Sequence, residues 1–207
     1  MEDILDLYEE PYDPKRPNLC MDERPCQLID DIVAPIAMKS GKAMRYDYEY
    51  ERKGTCCVFI VCEPLTGWRY VEVRKQRTKV DYAQFMEKVS GMFPEAETIR
   101  VVQDNLNTHT YGSFYENFDA EKARSLKNLF EFHYTPKHAS WLNMAEIELS
   151  ALARQCLDRR IGDAEILERE SKVWERERNE KKTMIQWRFT TNDARRKLKR
   201  HYEAVKN

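Results

Sequence analysis

The chain holds six cysteines (Cys20, Cys26, Cys56, Cys57, Cys62 and Cys156) but no C-x-x-C pair among its 207 residues. Four of them lie in or beside apolar runs. Buried thiols in a reducing compartment are therefore expected, with a zinc site from Cys20, Cys26 and the few histidines as the minor alternative. No apolar run approaches the ~20 residues that cross a bilayer, and no membrane partner is expected. The amino terminus, MEDILDLYEEPYD, is acidic and lacks the basic-then-apolar order of a secretion signal, which predicts a cytoplasmic protein. There is no internal repeat and no low-complexity segment. Net charge is also missing: 35 basic residues against 36 acidic ones leave −1. The whole molecule does not advertise nucleic-acid binding, yet charge is unevenly placed. RRKLKRHYEAVK near the carboxyl terminus is strongly basic, and a locally basic face can hold a phosphate backbone at near-zero net charge.

What is present, 42% hydrophobic and 34% charged residues, suits one domain with a full core and a helical extension. A short helix with Ile4, Leu5 and Tyr8 on one side opens the chain, and Pro11, Pro14 and Pro17 then keep it extended. Leu19 to Met21 read as a strand with Asp22 at its end and Pro25 as its stop. After a lysine- and tyrosine-rich connection (Lys39 to Lys53), CCVFIVCEP and WRYVEVR read as strands joined by a turn at PLTG, completing a meander. From Asp81, read as an N-cap, the period becomes helical: Tyr82, Phe85, Met86 and Val89 fall at i, i+3, i+4 and i+7. Pro94 ends that helix. Ile99, Val101 and Val102 form a short apolar run that Gln103-Asp104-Asn105 follows at once, the pattern of a buried strand ending in a loop.

A helical stretch over Ala120–Leu129 leads into the alternating strand FEFHYTP, and a further helix begins near Trp141. The order β-β-β-α-β-α-β-α predicts a mixed five-stranded sheet flanked by helices, the layout of a ribonuclease H-like α/β domain. A charged helical extension follows, with Ile166, Val173 and Trp174 as a thin apolar seam. The last helix starts near Asn192 and turns Ala194, Leu198, Tyr202 and Val205 inward, against a face of Arg195, Arg196, Lys199 and Arg200.

Asp22 and Asp104 sit at strand ends, where open α/β sheets collect their chemistry. On the helix near Trp141 an apolar stripe runs through Leu142, Ala145, Leu149, Leu152 and Cys156. Glu146 and Glu148 flank it at roughly 80° to either side, so periodicity does not choose between them. Three carboxylates within about 4 Å would repel by several kcal/mol per pair at an effective dielectric near 20. A raised pKa or hard cations would offset that. Oxygen ligands alone point to Mg²⁺ or Mn²⁺, and two such ions suit phosphoryl transfer on nucleic acid.

The segments CMDERP, VVQDNLNTHT and FHYTPKHASWLNMAEIELS, in this order, resemble the three catalytic blocks of bacterial DDE transposases, above all the insertion-sequence 630 family of the mariner-like superfamily. The resemblance runs from about residue 15 through the WRFTTNDARRKLKRHY tail, and its third block is long and specific. It implies a triad of Asp22, Asp104 and Glu146, with Glu146 preferred over Glu148, holding two Mg²⁺ or Mn²⁺ ions. Asn105, His109, Lys137, His138, Trp141 and Asn143 would position DNA or the triad. Cut-and-paste transposition at TA dinucleotides is implied, with transposon ends as partners, a homodimer when assembled on DNA, and a nucleoid-associated place in the bacterial cytoplasm.

The division expected is an extension over residues 1–16, a catalytic domain over 17–160 and a helical extension over 161–207. Full-length relatives carry amino-terminal helix-turn-helix modules, for which this chain is expected to have no room. Two further expectations compete with an active transposase domain: an inactive remnant that binds DNA or intact transposase, and a stand-alone endonuclease acting on another substrate such as an RNA–DNA hybrid.

Overall fold

A computed structural model describes residues 1–200 and 202. Its centre is a five-stranded sheet of β1 (Asn18–Asp31), β2 (Tyr50–Glu63), β3 (Trp68–Arg74), β4 (Ile99–Gln103) and β5 (Phe130–Tyr134), ordered β3-β2-β1-β4-β5. The three early strands pair antiparallel, whereas β4 runs parallel to both β1 and β5. This is the mixed ribonuclease H-like sheet, and β1 and β4 are neighbours in it.

Because side chains alternate across a pleated strand, β1 feeds two cores. Leu19 and Met21 pack with α2 (Lys79–Gly91), α3 (Tyr111–Asn117) and α4 (Ala120–Leu129) through Tyr82, Phe85, Met86, Phe114 and Leu126. Cys20 packs on the opposite face with α1 (Glu2–Glu9) and α5 (Ala145–Gln155), through Ile4, Leu5, Ala145, Leu149 and Leu152. Side chains such as Phe85 and Leu149, each contributing about 1.5–3 kcal/mol on full burial, thus hold a helical layer against each face. On the α5 side, α6 (Ala164–Glu180) and α7 (Thr191–Lys197) add Leu167, Trp174 and Ala194 to the core. All six cysteines are free thiols; Cys20, Cys56, Cys57 and Cys62 are buried. Among the described residues no helix is long and apolar enough to cross a membrane.

Several local expectations are corrected. Asp22 does not end its strand, and Pro25 does not stop it: β1 continues to Asp31 against β2. Pairing with β4 ends at Cys20, so Pro25 lies where β1 is open on one side and a missing N–H is tolerated. The second strand begins at Tyr50 rather than at the apolar run, and its first six residues are exposed. Between these strands an arm carries exposed Ile32, Val33, Ile36, Met38 and Tyr48. Arg160 anchors the arm, donating to the carbonyls of Asp47 and Glu49 and pairing with Asp31.

The N-cap of α2 is Thr78, not Asp81; Asp81 is the N3 partner in a capping box. Helix α3 is an addition that the apolar periodicity of TYGSFYEN did not signal. A 3₁₀ turn over Ser140–Leu142 precedes α5, which starts later than Trp141 suggested. In the last helix Ala194 is buried and Leu198 and Tyr202 pack on the core. Val205 lies outside the described residues.

Candidate active site

The pairing register brings two carboxylates together. Cys20 of β1 faces Val102 of β4 in the parallel ladder, and Asp22 and Asp104 each lie two residues further on. Adjacent strands run ~4.8 Å apart, so the two residues leave the same sheet edge side by side. By alternation from Cys20, Asp22 emerges on the face that α5 covers. Burial lifts the Asp22 carboxyl to about 7, and the charges of Glu146, Glu23 and Asp104 push the same way, against the backbone N–H of Glu23, which donates to it. Asp22, Arg24, Glu146, Ser150 and Arg154 line one open groove of ≈ 370 Å³.

The two glutamates that periodicity left equivalent meet different surroundings. Glu146 is exposed at the start of α5 and faces the groove with Asp22. Glu148 is fully buried and bridges two arginines, 2.8 Å from Arg69 Nε and 2.7 Å from Arg178 Nη2. Asn143 sets the entry of α5: its amide donates to the Met21 carbonyl (2.8 Å), and its side-chain oxygen accepts from the Ala145 N–H (3.1 Å). The helix carrying Glu146 is thereby fastened to β1 next to Asp22.

Behind Asp104 stands a buried ionic chain. His109 Nδ1 lies 2.5 Å from Asp104 Oδ1, and its Nε2 lies 2.9 Å from Glu23 Oε2. Burial disfavours a charged imidazole, but hydrogen bonds and charge from Asp104 and Glu23 outweigh it and raise His109 to about 9. For Asp104 burial is likewise opposed, and the His109 partner holds its carboxyl below the ordinary range. Tyr82 packs on the imidazole with ring centroids 4.8 Å apart. Oδ1 is thus taken by His109, the Leu106 backbone N–H also favours the charged carboxyl, and the side chain stays 40% exposed.

Glu23 was not anticipated. The only sequence signal was its place one residue after Asp22, which points it to the opposite face and hence toward His109.

The remaining candidates lie just after β4 and between β5 and α5. Asn105 is exposed in the loop after β4, and Lys137 and His138 are exposed in the loop before the 3₁₀ turn, where His138 adopts φ 65°. Among the described residues none of the three has an ion pair to the carboxylates. Trp141 is 45% exposed and stacks on Trp187 (6.3 Å between centroids) and against Phe189, so it packs the segment leading to α7.

The donor set fits a hard divalent cation. Asp22, Asp104 and Glu146 offer oxygen without sulfur, and Asp22 carries uncompensated repulsion of the sign a cation relieves. Among the described residues no three such groups are already drawn to metal-binding distance. Glu146 lines the same groove as Asp22, and its charge acts on the Asp22 carboxyl.

Comparison with known proteins yields a family profile described as DDE superfamily endonuclease, which matches residues 17–168. No curated protein matches the chain. Among solved structures, it is similar to the Mos1 mariner paired-end complex with Mn, with TM-score 0.57 and 16% identity over 88% of this chain and 55% of that one. A pre-cleavage Mos1 transpososome gives TM-score 0.56 and 15% identity over 90% of this chain and 61% of that one. The Mos1 strand transfer complex gives 0.57 and 15% over 88% and 58%. The chain therefore spans less than two thirds of these Mos1 chains, and the likeness is one of fold.

Proposed function

The chain belongs to the DDE superfamily endonucleases, and on that premise we propose that it is the catalytic domain of a mariner-like transposase that cleaves and joins DNA strands with divalent metal ions. Asp22, Asp104 and Glu146 are its metal-holding carboxylates, residues 17–160 its catalytic unit, and residues 1–16 and 161–207 its extensions. The observation that carries this reading is the equivalent register of Asp22 and Asp104 across the β1–β4 ladder, with Glu146 in the same groove as Asp22. Mos1, whose structures include a Mn complex and a transpososome, supports metal and DNA as the partners; TA targets and a homodimer on DNA follow from the same reading.

When bound, Mg²⁺ or Mn²⁺ ions would activate the attacking water or 3′-hydroxyl and stabilise the leaving oxygen of a phosphodiester. The protein's own part is positional. His109 fixes one oxygen of Asp104, Glu23 fixes His109, and Asn143 fixes the helix that presents Glu146. Asp22, easily protonated, would give up its proton before taking a cation.

The test is cleavage of supercoiled plasmid. The wild-type protein is expected to nick it in Mn²⁺ or Mg²⁺ and to stop when EDTA is added. Absence of nicking in either metal would contradict the reading and favour an inactive remnant. Preference for an RNA–DNA hybrid over duplex DNA would favour the stand-alone endonuclease.

A further inference from the structure

The groove that holds Asp22 and Glu146 is acidic at one end only. Arg24 follows Asp22 by two residues on β1 and so projects from the same face, ~7 Å further along the strand. On α5, Glu146, Ser150 and Arg154 recur at four-residue intervals and form one stripe along the helix. Asp22 and Glu146 therefore face each other at one end of the groove, and Arg24 and Arg154 line its continuation.

The surrounding arginines are committed to carboxylates: Arg77 to Glu23, Arg159 to Glu170, Arg160 to Asp31 and Arg178 to Glu148. Among the described residues neither Arg24 nor Arg154 has an acidic partner. Arg154 donates only its Nε, to the Ser150 carbonyl in its own helix (3.3 Å), which leaves the terminal nitrogens of its fork available. Both side chains are exposed.

A cluster of carboxylates repels a DNA backbone, and a chain of net charge −1 supplies no general attraction. Local cations must offset the repulsion where the strand enters. Guanidinium forks suit phosphate oxygens because two parallel N–H donors meet two acceptors.

We propose that Arg24 and Arg154 form a phosphate clamp that grips the DNA backbone beside the scissile phosphate and leads the strand into the carboxylate site. The proposal rests on the DNA-cleaving reading above and adds the site that positions the substrate strand. These are positioning residues; the metal-holding carboxylates do not depend on them.

The test is binding of a fluorescein-labelled DNA duplex, followed by anisotropy in Ca²⁺ across a salt series, with plasmid nicking in Mn²⁺ measured in parallel. Arg24→Ala and Arg154→Ala are each expected to weaken binding roughly tenfold, the scale of one charge-assisted hydrogen bond. Each should also reduce the slope of log K against log salt by about 1. Arg24→Lys should recover most of the slope but not all of the affinity.

Arg124→Ala, which removes an exposed charge from α4 on the other face of the sheet, should change neither quantity. Melting temperatures should not move. If the wild type binds and nicks DNA but both groove variants bind with unchanged affinity and slope, the clamp is wrong and the cleavage reading stands. If the wild type neither binds nor nicks, the cleavage reading fails and the clamp fails with it.

Discussion

Glu148→Ala is expected to destabilise the fold by about 3–5 kcal/mol, the range for removing one partner of a buried ion pair. Glu148 and Arg69 are 0% and 1% exposed at the side chain, so their charges have no access to water. Arg69 also donates to the Thr183 carbonyl (2.6 Å), and its backbone N–H donates to Asn179 Oδ1 (2.8 Å). Arg178 reaches Glu148 from α6 with two nitrogens. One carboxylate thereby ties α5 to β3 and α6, and burial already pulls the Arg69 pKa down from its usual value.

Removing Glu148 leaves Arg69 charged and unpaired in the interior. At roughly 2–4 °C per kcal/mol for a chain of this size, the melting temperature should fall by ~6–20 °C. The double change Glu148→Met with Arg69→Met should be less damaging than Glu148→Met alone, because it also removes the guanidinium left unpaired in the interior, while Arg178 is 16% exposed and reaches water. A thermal melt of the three variants checks this. A loss below ~1 kcal/mol in Glu148→Ala would mean that the cluster is not closed to water.

Glu146→Gln is expected to behave in the opposite way. Glu146 is exposed and has no ion pair among the described residues, so the melting temperature should stay within about 2 °C. Nicking should fall on the order of 1000-fold, since a metal ligand supports several kcal/mol of charge stabilisation and each 1.36 kcal/mol is a factor of ten. The pair of glutamates thus separates reactivity from architecture: one variant keeps its stability and loses cleavage, while the other weakens the fold. Unchanged nicking by Glu146→Gln would remove it from the reaction.

That separation shows where reading the sequence runs out. Glu146 and Glu148 flank the same apolar stripe, and helical geometry treats them alike. What distinguishes them is Arg69 on β3 and Arg178 on α6, partners that no local pattern points to. The apolar run at Ile99–Val102 and the alternation in FEFHY were legible because period and turn residues agree there. Strand ends and helical spacing supplied Asp22, Asp104 and the two glutamates as candidates, the resemblance of three sequence blocks preferred Glu146, and the β1–β4 register brings Asp22 and Asp104 side by side.

Pro25 misled because proline stops most strands, yet β1 is unpaired on the β4 side beyond Cys20. Glu23 went unnoticed because its role is set by a histidine in a distant loop. Trp141 packs on Trp187 and Phe189 while staying 45% exposed, and those partners lie too far along the chain for any local pattern to show them.

The most direct measurement is calorimetric titration of the wild-type protein with Mn²⁺ between pH 5 and pH 8, beside Asp22→Asn. Raised folded-state pKa values mean that the metal-free protein loses stability as pH rises: Asp22 from about 4 to about 7, and His109 from about 6.5 to about 9. A cation that displaces the Asp22 proton reverses the first of these effects. Affinity should therefore climb by up to tenfold per pH unit below about 7 and level off above it. Asp22→Asn should abolish the binding heat. Mn²⁺ binding that is absent in the wild type, or that persists unchanged in Asp22→Asn, would contradict a metal site built on these carboxylates.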